Sequence, residues 1–245
     1  MQAKRLFQTA VKAKKASSTS PAAHKLIDLR SDTVTRPSKR MFDAMSSVPL
    51  GDEGRADCET TMKLERQVAD LFGKESALLV PSGVMANNIN LKLMAGLSGE
   101  SVILGSNSHI INNERGGVSS FAGIMPWIVE NNPDGTMELE KIKRMTGMAS
   151  NEHIVPIRGI SLESSHNGCN GRVLRPEYIS KVKKIAKKAK SKMHIDGARS
   201  WNAALFLGME MKDMLKDFDL ISVCLSKGLG CPIGSLIVGS SKDVA

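Results

Sequence analysis

From Glu59 onward the chain alternates between stretches of helical apolar spacing and short apolar runs. The runs Ser76–Pro81, Ser101–Leu104, Ile124–Val129, Ile157–Leu162, Met193–Ile195, Leu220–Cys224 and Ser235–Val238 read as strands. Between them, Glu59–Phe72, Val84–Ala95, Glu138–Met145 and Glu177–Ala189 read as helices, with a short one near residues 112–118. Helices alternating with short apolar strands argue for a mostly parallel sheet. The expected fold class is therefore α/β, with helices on both sheet faces. Right-handed crossovers then bring the strand C-terminal ends, and the loops after them, to one edge.

The 245 residues, 41% of them apolar, suffice for one large α/β domain. No apolar run approaches the roughly eighteen residues of a membrane span, so no membrane partner is expected. Cys58, Cys169, Cys224 and Cys231 form no C-x-x-C pair and lack zinc-type spacing with histidine, so no metal site is expected. The net charge is +9, of which residues 1–27 hold +6 and no acid. That basic, Ser/Thr/Ala-rich opening reads either as a mitochondrial transit peptide or as a basic tail without an address. The expected location is accordingly mitochondrial or cytoplasmic. A second lysine cluster, residues 181–192, interleaves with Ile179, Val182, Ile185, Ala186 and Ala189 at helical spacing. It reads as a solvated helix face; no aromatic residues accompany it for stacking, so no nucleic-acid partner is expected.

Chemistry-bearing residues gather at the strand ends. The run Ile221–Leu225 delivers Lys227, with Gly228 and Gly230 close behind. A lysine withdrawn from water loses proton affinity and becomes a nucleophile. The strand Met193–Ile195 is followed by Asp196 and, three residues on, Arg199. Pro81-Ser82-Gly83-Val84 joins a strand to a helix; Ser82 can cap that helix, and Gly83 lets a ligand approach the free N–H groups. Lysine, aspartate and a phosphate-binding turn together suggest a pyridoxal phosphate pocket, with Lys227 forming the Schiff base and Asp196 holding the pyridinium nitrogen. His109 follows one strand and could stack on a planar ring. His166 follows another and could act as a general base.

These motifs, in this order, resemble threonine aldolases, pyridoxal phosphate enzymes of the aspartate aminotransferase fold. The matching segments are Asp28–Pro37, Leu64–Gly73, Pro81–Asn87, Gly99–His109, Asn132–Glu138, Glu163–Leu174, His194–Leu207 and Cys224–Val238. The resemblance implies a cofactor-binding large domain over residues 28–245 and a basic tail over residues 1–27. It also implies that family members continue past Ala245 into a small C-terminal domain absent here. By the same resemblance Lys227 is the Schiff-base lysine and Asp196 the ring-nitrogen partner. Arg199 lies near the cofactor phenolate and the substrate carboxylate. Ser82, Gly83 and Val84 form the phosphate turn, His109 stacks on the ring, His166 approaches the substrate hydroxyl, and Ser31 meets the substrate carboxylate.

The implied reaction is retro-aldol cleavage of L-threonine or L-allo-threonine to glycine and acetaldehyde. His166, or a water it orients, takes the β-hydroxyl proton. The implied assembly is a homodimer or homotetramer acting on a small amino-acid substrate. Three positions depart from the family pattern: Val84 replaces a usual threonine, Arg55 a tyrosine and Glu59 a proline. A non-catalytic cofactor-binding protein and another lyase of the same fold are the alternative expectations. The segments Asp28–Pro37 and Glu163–Gly171 favour an aldolase over a transaminase.

Overall fold

The computed structural model describes residues 27–96, 99–148 and 153–244. The proposed transit peptide lies almost wholly outside them. The chain divides into two units, Met1–Ser31 and Asp32–Ala245. In the first, Arg30 and Asp28 form an exposed ion pair. The second contains a seven-stranded sheet.

Its strands are β1 (Ser76–Val80), β2 (Ser101–Gly105), β3 (Met125–Val129), β4 (Ile157–Glu163), β5 (Lys192–Asp196), β6 (Leu220–Cys224) and β7 (Ser235–Gly239). Their spatial order is β1-β7-β6-β5-β4-β2-β3. Neighbours pair in parallel from β6 through to β3, whereas β7 runs antiparallel to both β6 and β1. Reversing β7 leaves β1 pointing the same way as the other five strands. The C-terminal ends of β1 to β6 therefore share one edge, where Val80 and Cys224 both pair with Ser235.

Alternation along the strands sorts side chains to two faces. Ile160, Leu162, Met193, Ile195, Ile221 and Val223 join the larger core, together with Phe72, Ile142, Val182 and Phe218 from the covering segments. The amphipathic helices Glu59–Phe72, Leu139–Met148 and Pro176–Ala189 thus cover that face. Fully buried Phe72 meets Trp201 edge to face, with ring centroids 5.5 Å apart. The opposite face lies under the helix Gly83–Ala95 and holds Leu91, Leu104, Ile110 and Ile124.

That second face also carries polar groups. Asn90 Nδ2 donates to Ser222 Oγ (2.9 Å), which meets His194 Nε2 (3.0 Å), while His194 Nδ1 meets Ser161 Oγ (2.9 Å). Complete burial pushes the His194 pKa down to about 4, so the ring is neutral at pH 7.

The strand and long-helix expectations agree with this architecture to within a few residues. The short helix near residues 112–118 does not. Two single turns, His109–Asn112 and Gly117–Ser120, flank a break at which Arg115 and Gly116 take positive φ. Left-handed backbone cannot continue a right-handed helix. The helices Lys39–Ser47 and Ser200–Leu207 are additions to the expected set. Glu59, at the family's proline position, opens its helix; an acid suits that first turn, as proline does. Among the described residues no helix is long and apolar enough to cross a membrane.

Candidate active site

Six of the sequence-identified residues line one cavity at the strand C-terminal edge: Ser82, Gly83, Val84, His109, Asp196 and Lys227. The cavity holds about 160 Å³. Ser82 caps the helix Gly83–Ala95, its Oγ accepting from Met85 N–H (3.2 Å). The N–H groups of Gly83 and Val84 open that helix and have no intrahelical acceptor. A Cβ on Gly83 would lie 2.7 Å from Cys224 Sγ, so only glycine leaves the turn this close to β6.

Asp196 ends β5 and is 4% exposed. Its Oδ1 accepts from Ala198 N–H (3.1 Å) and its Oδ2 from Asn87 Nδ2 (2.9 Å). Asn87 Nδ2 also donates to Glu114 Oε1 (2.7 Å), which in turn meets His109 Nδ1 (2.9 Å). That hydrogen bond to Glu114 raises the His109 pKa against the opposing effect of burial. One helix residue therefore ties the aspartate to the histidine. The oxygens and nitrogen of His109, Glu114 and Asp196 come within 4.8 Å of one another.

Glu163, at the end of β4, holds the segment after its own strand and the one after β2. Its Oε2 accepts from His109 N–H (2.7 Å) and its Oε1 from Asn167 N–H (2.7 Å). Burial, with the nearby Asp196 charge, pushes its pKa up to about 7. His166 Nδ1 lies 3.8 Å from Glu163 Oε1 and makes no hydrogen bond. Burial lowers the His166 pKa, so its ring is neutral at pH 7. His166 is 1% exposed and does not line the Lys227 cavity.

Arg199 lines a neighbouring cavity of about 490 Å³ together with Asp32, Ser165, Arg172 and Phe206. Its Nε and one terminal nitrogen donate to the two Asp32 oxygens at 2.7 and 2.8 Å, a bidentate pair. Burial opposes ionisation of Asp32, but the hydrogen bonds and charge of Arg199 outweigh it and hold the carboxyl below its ordinary range. Close by in sequence, Thr35 Oγ1 donates to the Lys227 carbonyl (2.7 Å). Ser31 is exposed and belongs to the other unit.

Sequence reasoning did not assign roles to Asn87, Glu114, Glu163, Asp32 or Thr35. Asn87 and Asn90, one turn apart among apolar residues of the helix Gly83–Ala95, were the legible signal, because a polar side chain on a buried face needs a partner.

The family model described as Beta-eliminating lyase matches residues 28–245. A probable low-specificity L-threonine aldolase from Arabidopsis thaliana is 44% identical over 91% of this chain and 63% of its own length. The low specificity L-threonine aldolase of Escherichia coli K12 is 39% identical over 88% of this chain and 63% of its own. The chain thus spans less than two thirds of these curated relatives. A threonine aldolase structure from Leishmania major superposes with a TM-score of 0.75 at 18% identity, covering 88% of this chain and 63% of that one. At that identity the likeness establishes the fold.

Proposed function

The chain belongs to the beta-eliminating lyase family, and from that premise we propose that it is the pyridoxal phosphate-binding domain of an aldehyde-lyase cleaving L-threonine and L-allo-threonine to glycine and acetaldehyde. The observation that carries this reading is the single cavity shared by Lys227, Asp196, His109 and the Ser82–Gly83 turn. Four kinds of group that pyridoxal phosphate needs meet there: an amine, a buried carboxylate, a flat imidazole and free helix N–H groups. The close approach at Gly83, which a Cβ would block, fits a backbone cradle for phosphate. Val84 contributes no hydroxyl, yet its N–H serves the same cradle.

Bound there, pyridoxal phosphate supplies an electron sink for the pair released as the Cα–Cβ bond breaks. Lys227 Nζ holds the cofactor. Asp196, positioned by Ala198 N–H and Asn87 Nδ2, would accept from the ring nitrogen. The His109 ring is oriented by Glu114 through Nδ1 and by Glu163 through its backbone N–H. His166, neutral at pH 7, is in the right state to take the β-hydroxyl proton, directly or through a water. Arg199 receives the substrate carboxylate.

The second reading, a cofactor-binding protein without turnover, is favoured by two observations. Arg199 is already paired with Asp32, and His166 does not line the cavity. The test uses the whole protein with added pyridoxal phosphate. An absorption band near the violet edge, lost in Lys227→Ala, together with acetaldehyde release from threonine, is the expected result. A band without acetaldehyde selects the second reading, and no band sinks both. A homo-oligomer belongs to the same proposal, supported by the exposed apolar side chains Phe121 and Leu205, and light scattering checks it. A mitochondrial address carried by residues 1–27 is tested by fusing them to a fluorescent protein.

A further inference from the structure

At the opposite edge of the sheet from Lys227 lies a cavity of about 660 Å³. It is walled by residues before β1, the C-terminal half of the helix Pro176–Ala189, the start of β5, the loop before β6 and the segment after β7. Six lysines line it (Lys74, Lys183, Lys187, Lys190, Lys192, Lys216), against the carboxylates Glu75, Asp219 and Asp243. The excess of three positive charges equals the whole net charge left to the chain beyond residue 27.

The pairing within the cavity is specific. Lys183 meets Asp219 at 3.1 Å and Lys192 pairs with Asp243. Glu75 accepts from Ser241 N–H (2.9 Å). Lys74 Nζ donates to the carbonyls of Phe218 (2.6 Å) and Lys216 (3.3 Å), which leaves one of its three protons for a further acceptor. Lys187, Lys190 and Lys216 have no carboxylate partner among the described residues. Burial lowers the Lys74 pKa; the Asp219 charge opposes that shift and the Lys183 charge adds to it.

We propose that this cavity binds a small ligand bearing a diphosphate or triphosphate group. Three uncompensated ammonium groups and one spare Lys74 proton converge on a concave site, which matches a compact multianion rather than a single carboxylate. Lysines recognise phosphate as point charges, without the planar fork of arginine. Phe218 is the one aromatic residue lining the cavity, and it is buried, so no platform exists for stacking bases of single-stranded nucleic acid. Lysines near the end of the helix Pro176–Ala189 complement its dipole, but Lys216 comes from outside that helix and has no carboxylate partner among the described residues.

The test is calorimetric titration of the whole protein with inorganic tripolyphosphate at physiological ionic strength. Lys187→Glu with Lys216→Glu, both at exposed positions, is expected to weaken binding by about tenfold or more. Lys184→Glu with Lys188→Glu makes the same charge change outside this cavity and is expected to change affinity less than about twofold. Lys227→Ala is expected to leave it unchanged, which separates this site from the phosphate turn at the other edge. Should the first pair fail to fold, Lys187→Gln alone is expected to weaken binding by about threefold. No binding by the unaltered protein, equal losses in both glutamate pairs, or full affinity in the cavity variants would overturn the proposal.

Discussion

The two edges of one sheet treat charge in opposite ways. At the C-terminal edge Asp196, Glu114 and Glu163 are buried; Asn87 donates to the first two and His109 N–H to the third. At the N-terminal edge the lysines are half-buried or exposed, and their pairs face water. A charge in a dry site depends on its few donors, whereas a charge at the surface is replaced or screened by solvent. Substitutions should therefore cost far more at the first edge than at the second.

The largest break is expected at Asn87, whose one amide nitrogen serves both Asp196 and Glu114. Asn87→Ala should destabilise the fold by about 3 kcal/mol, because it leaves two buried carboxylates short of a donor. Denaturant unfolding measures this, and a loss of a few tenths of a kcal/mol would show that the edge is wetter than described.

Gly83→Ala comes next. Its Cβ meets Cys224 Sγ, so a cost of about 1–3 kcal/mol is expected. Adding Cys224→Ala should recover part of it, since the sulfur is the obstacle. A double-mutant cycle with no coupling would place the strain elsewhere.

The pH dependence has two opposed parts. His194 has a folded pKa of about 4 against an ordinary 6.5. Between these values the unfolded chain binds more protons, so stability falls as pH drops from 6.5 towards 4, by up to about 1.4 kcal/mol per unit. Glu163 has a folded pKa of about 7 against 4.5. There the folded state binds more protons, so stability falls as pH rises from 4.5 to 7. The two slopes oppose one another between pH 4.5 and 6.5. Glu163→Gln should remove its half and steepen the loss on acidification, read from unfolding curves across that range. An unchanged profile would mean that Glu163 is ionised throughout.

At the other edge Lys183→Met, which breaks the pair with Asp219, should cost no more than about 1 kcal/mol. A larger loss would erase the contrast between the edges.

Much of this was legible in the chain itself. Lys227, Asp196, His109 and the Ser82–Gly83 turn were each readable as the residues that follow an apolar run, and they share one cavity. Arg199 and His166 were readable as residues, but not in their partners. The bidentate Asp32–Arg199 pair joins positions 167 apart, and no local pattern announces it. Likewise Glu163 meets Asn167 N–H four residues on, but His109 N–H reaches it from 54 residues away.

Periodicity and composition by themselves determined the alternating elements, their apolar faces and the strand ends from which chemistry emerges, because these depend on neighbours within a few residues. The tertiary structure decided the reversal of β7, the bridge from Asp196 through Asn87 to Glu114, and the convergence of lysines at the far edge. Those depend on which distant segments share a dry or a wet space. Burial and long-range hydrogen bonding set the protonation of each group there, and neither is written in local sequence.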